Sequence, residues 1–142
     1  MKSLTPYLFF YGRCQEALNF YKDCLNGEIL SLHLFDDKTC SGKPIDETWK
    51  NKVMHAEFKA DDIYFMASDG MPAETKPTLV NAISLSINFV TEEEQSIVFE
   101  KFSRLGKVTM PLQDTFWGAR FGMLTDQFGI NWMFNCEKKQ AE

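Results

Sequence analysis

The chain has 142 residues, 44% of them hydrophobic and 25% charged, with a formal net charge of −5. That length makes one ordinary domain or two small fused modules with a real core, and that balance of apolar and charged residues excludes disorder. The acidic balance argues against a nucleic-acid partner, and no apolar stretch approaches the ~20 residues of a membrane span, so a cytoplasmic protein with no membrane partner is expected.

In chain order, Leu4, Leu8 and Phe10 belong to a first strand. "CQEALNFYKDCLNG" follows as a helix, with Ala17, Phe20 or Tyr21, and Cys24 at helical spacing and Gly27 where a C-terminal cap would be. "EILSLHLF" and "VMHAEFKA" alternate with period two around a polar loop, and "IYFMAS" follows a turn at Asp61-Asp62. "DGMPAETKP", with two prolines, reads as a linker. A strand through Ile83, Leu85, Ile87 and Phe89 comes next. "TEEEQSIVFEKFSRLG" then opens with Thr91 and Glu94 spaced as a capping box and carries Val98, Phe102 and Leu105 as its apolar stripe. "KVTMPL", "ARFGML" and "INWMFN" close the chain as strands, the last two joined by a type I turn from Asp126 to Gly129.

Sliding the chain by about 79 residues lays Phe20 on Phe99, Lys22 on Lys101, Gly27 on Gly106, and Leu8 and Phe10 on Ile87 and Phe89. The expectation is an α+β fold of two strand-helix-three-strand modules. The first spans residues 1–69 and the second 82–136, with a linker at 70–81 and a polar tail at 137–142. Cys14, Cys24, Cys40 and Cys136 show no metal-ligand or redox spacing. They read as reduced, buried thiols, with Cys14 singled out because a thiolate at a helix start beside Arg13 would be stabilised.

A sheet covered by a helix on one side shows its apolar alternates to that helix and its other alternates to solvent or a cavity. Leu30, Leu32 and Leu34 are expected inward, leaving Ser31, His33 and Phe35; Met54, Ala56 and Phe58 leave His55, Glu57 and Lys59. The remaining outward sets are Thr5, Tyr7 and Phe9; Tyr64, Met66 and Ser68; Ser84, Ser86 and Asn88; and Asn131, Met133 and Asn135. This mixture of rings, hydroxyls and amides suits a cavity lining.

The paired modules, the "EALNFYKDCLNGEI" helix, "HAEF", "MASDGMP" and "DTFWGARFGMLTDQFGINWM" resemble the vicinal-oxygen-chelate superfamily of glyoxalases, bleomycin-resistance proteins and extradiol dioxygenases, and within it the PhnB-like branch. The resemblance implies curved mixed sheets around a cavity, often in a homodimer, the partner state expected here. It places the metal-ligand positions of metal-dependent members on Thr5, Met66, Ser84 and Met133. These supply no imidazole, carboxylate or thiolate, so no cofactor is predicted and a divalent metal, while possible, is not supported at these positions.

Three functions follow. The first is binding of a small, partly aromatic molecule by Tyr7, Phe9, Ser68, Asp69, Ser84, Ser86, Asn131 and Met133, with Gln113, Phe116 and Trp117 as a lid. Trp132 is assigned to the core. The second is an enzyme acting on a small oxygenated substrate, through His55 as general base and Glu57, roughly 7 Å away along the strand, holding its imidazolium, or through a metal held by nonstandard ligands. Relatives carry a demethylubiquinone methyltransferase label, but the chain has no glycine-rich turn in an alternating α/β pattern for S-adenosylmethionine. The third is a noncatalytic assembly partner.

Overall fold

A computed structural model describes residues 2–35, 47–70 and 83–138. The chain divides into two compact units, Met1–Thr78 and Leu79–Glu142. In the first, β1 (Tyr7–Phe9), α1 (Cys14–Leu25), β2 (Glu28–Leu34), a short 3-10 turn (Glu47–Trp49), β3 (Val53–Ala60) and β4 (Ile63–Ser68) follow one another. The second repeats the plan with β5 (Leu85–Phe89), α2 (Glu92–Ser103), β6 (Lys107–Asp114), β7 (Ala119–Thr125) and β8 (Asn131–Glu137). Each unit holds one open four-stranded mixed sheet, ordered β1-β4-β3-β2 and β5-β8-β7-β6. In both, the first strand runs parallel to the fourth and the other pairs are antiparallel. The duplication in the sequence is therefore a duplication of topology.

Alternation builds each core. In the first unit, Tyr21 of α1 meets Phe65 at 5.9 Å and Phe58 at 6.4 Å, edge to face, while Phe58 and Phe65 stack at 4.9 Å. In the second, Phe102 meets Trp132 at 5.3 Å and Phe134 at 5.4 Å, and Phe99 meets Phe134 at 5.1 Å. Rings of this size each take on the order of 150–250 Å² out of water, worth about 4–6 kcal/mol at about 25 cal/mol/Å².

Several expectations shift in detail. Asn26, at φ 52°, takes the left-handed cap of α1. Gly27 is needed for space instead, since a Cβ there would stand 2.5 Å from Phe58 Cζ and 2.9 Å from the Lys59 carbonyl oxygen. Its repeat mate Gly106 meets the same limit against the Thr125 and Phe102 carbonyls, at 2.8 and 2.9 Å. Leu105 lies beyond α2 and is exposed, whereas Gln95 and Phe99 join Val98 and Phe102 on the buried face. Register irregularities between Ile29 and Ser31, and between His33 and Leu34, reset the alternation of β2. Leu30 and Leu34 are consequently exposed, and Phe35 is buried rather than outward. Pro111 stands in β6, an edge strand, where its missing N–H is tolerated. Ser68, Asp69 and Gly70 are buried parts of the first unit; the rest of the expected linker, and Cys40, lie outside the described residues.

Candidate functional site

The helix-free face of the first sheet gathers Tyr7, Phe9, His55, Glu57, Tyr64 and Met66. Register sets this: Tyr7 and Glu57 both pair with Met66, Phe9 pairs with Ser68, and Lys59 pairs with Tyr64. Tyr7 stacks on Phe9 with centroids 5.1 Å apart and lies 5.7 Å from the His55 ring. Its hydroxyl is 2.9 Å from His55 Nδ1. Tyr7, Phe9 and Tyr64 are 40%, 44% and 36% exposed, so three rings present edges or faces to solvent on one side of a rigid sheet. Burial pushes the Tyr7 phenol above its ordinary value, a hydrogen bond to Ser68 partly opposes this, and Cys14 adds to it. The Tyr64 phenol is also raised, first by desolvation and then by its hydrogen bond to Glu57 and that carboxylate's charge. His55 and Glu57 thus share a face, as alternation requires, but each is engaged with a different tyrosine.

Ser68 and Asp69 do not line a rim. Asp69 is 1% exposed, and Oδ1 accepts the backbone N–H groups of Gly12 at 2.7 Å and Cys14 at 2.8 Å, while Oδ2 accepts that of Val53 at 2.8 Å. Ser68 Oγ accepts the Gly70 N–H at 2.9 Å and donates to the Val53 carbonyl at 3.3 Å. Arg13, at the start of α1, makes no side-chain cap, so Asp69 supplies the helix cap from across the unit. An Asp before Gly reads locally as turn chemistry; its backbone partners, up to 57 residues away, leave no mark in the local sequence. Cys14 is fully buried, and burial, followed by the charge of Asp69, raises its thiol far above the ordinary range. Burial and the Asp69 charge thus both work against a thiolate at that helix start, whatever Arg13 beside it would favour.

In the second unit the helix-free face carries Ser86, Asn88, Phe121, Met123, Met133 and Asn135. Ser86 pairs with Met133, which also pairs with Met123. The amides bond locally: Asn135 Nδ2 donates to Asn88 Oδ1 at 3.2 Å, and Asn131 Nδ2 donates to the Ile83 carbonyl at 3.3 Å. Asn131 Oδ1 also lies 2.7 Å from Thr125 Oγ1. Gln113 pairs with Phe121 on edge strand β6, and Phe116 and Trp117 stand at the tip of the β6–β7 hairpin. Thr115 and Ala119 close that tip through a 2.8 Å backbone bond, with Gly118 at φ 84°. Phe116 is 97% exposed and Trp117 58%, whereas Trp132 is 2% exposed and donates from Nε1 to Asp126 Oδ2 at 2.8 Å. Gln95 was not foreseen. It is fully buried, its Nε2 donates to the Arg120 and Phe134 carbonyls at 2.8 and 3.1 Å, and its Oε1 has no partner among the described residues. Its place three positions before Val98 and seven before Phe102, in line with the apolar stripe of the helix, is the sequence signal for it.

The positions implied for a metal do not fit one. Thr5 and Ser84 are exposed residues outside the paired strands, and Met66 and Met133 bring thioethers to two separate sheets. Hydroxyls and thioethers are poor donors for Mn, Fe, Ni or Zn. Among the described residues, no three His, Cys, Asp or Glu side chains cluster as a metal centre needs.

A family model described as 3-demethylubiquinone-9 3-methyltransferase matches residues 2–134. The crystal structure of protein PA1353 from Pseudomonas aeruginosa is 37% identical with a TM-score of 0.83, covering 98% of this chain and 100% of that one. The PhnB protein from Bacillus cereus is 31% identical with a TM-score of 0.78, over 95% of this chain and 99% of its own. A glyoxylase/bleomycin resistance protein/dioxygenase domain from Frankia sp. EAN1pec shares the fold at 11% identity, with a TM-score of 0.65 over 99% of this chain and 96% of its own. The chain belongs to the PhnB-like family, which the 3-demethylubiquinone-9 3-methyltransferase model describes, within the glyoxalase/bleomycin-resistance/dioxygenase fold.

Proposed function

Starting from that membership, we propose that the protein binds a small, partly aromatic molecule on its helix-free sheet surface, without a standard divalent metal. The observation that carries this reading is the run of Tyr7, Phe9, His55 and Met66, partly exposed and held by strand register and by the Tyr7–His55 bond. Flat rings on a rigid sheet offer stacking area at little entropic cost, and the phenols, imidazole and carboxylate give a few oriented polar contacts.

Two other readings are weaker. A general-base role for His55 assisted by Glu57 loses support because the group at His55 Nδ1 is the Tyr7 hydroxyl and not the Glu57 carboxylate. A methyltransferase needs a cradle for S-adenosylmethionine, commonly a helix N-terminus with open N–H groups. Here one N–H at each helix start is already bonded, that of Cys14 in α1 by Asp69 Oδ1 at 2.8 Å and that of Glu94 in α2 by Thr91 Oγ1 at 3.2 Å.

The test is an NMR screen of small aromatic compounds with shift mapping. Hits should perturb Tyr7, Phe9, His55 and Met66, and Phe9→Ala should weaken them. Hits confined to the helix faces, or none at millimolar compound, roughly the weakest affinity such a site would have, would refute the reading.

A further inference from the structure

The chain contains two histidines, and the fold sets them opposite one another: His33 of β2 is the register partner of His55 of β3. We propose that this pair forms a two-imidazole site for a borderline divalent transition-metal ion, Cu²⁺, Ni²⁺ or Zn²⁺, on the open face of the first sheet. The inference goes beyond the small-molecule reading and does not depend on it.

Directly opposed residues of an antiparallel pair put their side chains on one face, with Cβ atoms about 4.5–5.5 Å apart. Two imidazole nitrogens on one ion at about 2.0–2.1 Å each need to come within about 3 Å of one another, a span that two such rings can close. His33 is exposed and His55 half-buried, so an ion reaches both from solvent. The Tyr7 hydroxyl lies at His55 Nδ1, so Nε2 is the nitrogen left for an ion. With the proton on Nδ1, donated to the phenol oxygen, Nε2 keeps its lone pair for the metal, the outer-contact arrangement that orients ligating histidines. The ladder loses register immediately beyond, between His33 and Leu34, so the pair occupies the last regular rung beside a bulge.

With two protein ligands, the ion keeps water on its remaining positions and exchanges readily. The site is therefore distinct in residues and in kind from the family positions at Thr5, Met66, Ser84 and Met133. Imidazole ligation favours Cu²⁺ over Ni²⁺ and Zn²⁺ by the ordinary divalent series.

The experiment is calorimetric titration of the full chain, free of any polyhistidine tag, with Cu²⁺ or Ni²⁺ alone. One ion per chain is expected, with affinity falling about tenfold or more in His33→Asn and equally in His55→Asn, since losing either ring ends the chelation. The double variant should lose little beyond either single one, and Tyr7→Phe should weaken binding less than either. His33→Gln serves as a second variant at the exposed position, with circular dichroism confirming the fold. Paramagnetic broadening by Cu²⁺ in the unsubstituted chain should centre on β2 and β3 around His33 and His55. Undiminished binding in His33→Asn, strictly additive losses, broadening centred elsewhere, or no binding overturns the proposal. Ligand mapping on Tyr7 and Phe9 stands or falls separately, because the metal is the only probe here.

Discussion

Replacing Asp69 with Asn should destabilise the first unit by about 4 kcal/mol while leaving the open sheet face intact. The carboxylate holds three backbone donors at 2.7–2.8 Å, two on Oδ1 and one on Oδ2. An asparagine keeps one oxygen for Gly12 and Cys14 but turns an NH₂ group toward the Val53 N–H, donor against donor. Two charge-assisted bonds then become neutral ones, losing about 1 kcal/mol each, and the third is lost with a stranded buried N–H, adding roughly 2 kcal/mol. Asp69→Ala should cost more, because all three donors are orphaned. Urea unfolding followed by far-UV circular dichroism gives the comparison. Trp49 fluorescence adds a local reporter, since its Nε1 donates to the Gly70 carbonyl one residue along. A change below about 1 kcal/mol for Asn would refute the assignment of Asp69 as an internal cap and return it to the pool of ligand-contacting residues.

Trp132 and Trp117 should part company. Trp132→Ala, which removes a buried ring and its bond to Asp126, should cost about 3–5 kcal/mol, and Trp117→Ala less than about 1.5 kcal/mol, as thermal melts would read; the reverse order would mean the faces are assigned backwards. Spectrophotometric titration should find Tyr64 ionising above its ordinary value, with Glu57→Gln lowering the midpoint without restoring it fully, because desolvation is the larger cause. An unchanged midpoint in that variant would remove the Tyr64–Glu57 contact from the site.

Much of this fold could be read without coordinates where the controlling interactions are local. Strict alternation and the Asp61-Asp62 turn delimit "VMHAEFKA" and "IYFMAS" at the bounds of β3 and β4. Thr91 announces α2 because its cap lies three residues away. Legibility fails where the partner is distant or the ladder irregular. Asp69 finds its donors across 16 to 57 residues, and the bulged register of β2 turns Leu30 outward against a perfect-looking pattern. The candidate site divides the same way. Alternation alone puts Tyr7, Phe9, His55 and Glu57 on one face, yet the Tyr7–His55 bond and the His33–His55 pairing depend on strand order and register that no local pattern encodes.

The two helices begin under different kinds of control, and that bears on how the chain folds. The Thr91 cap travels with α2, so its first turn can be satisfied as soon as Glu94 has left the ribosome. The cap of α1 resides on Asp69, so the leading N–H of Cys14 waits until residues through the end of β4 and Asp69 exist and the intervening loop has closed. Closing a loop of more than fifty residues is a long-range entropic step, slow compared with making a local turn. Although its sequence emerges second, the C-terminal module should acquire protected helix amides first on refolding. Pulse-labelling hydrogen exchange on dilution from denaturant would resolve the order, with Cys14 protected in the same phase as Val53 rather than before it.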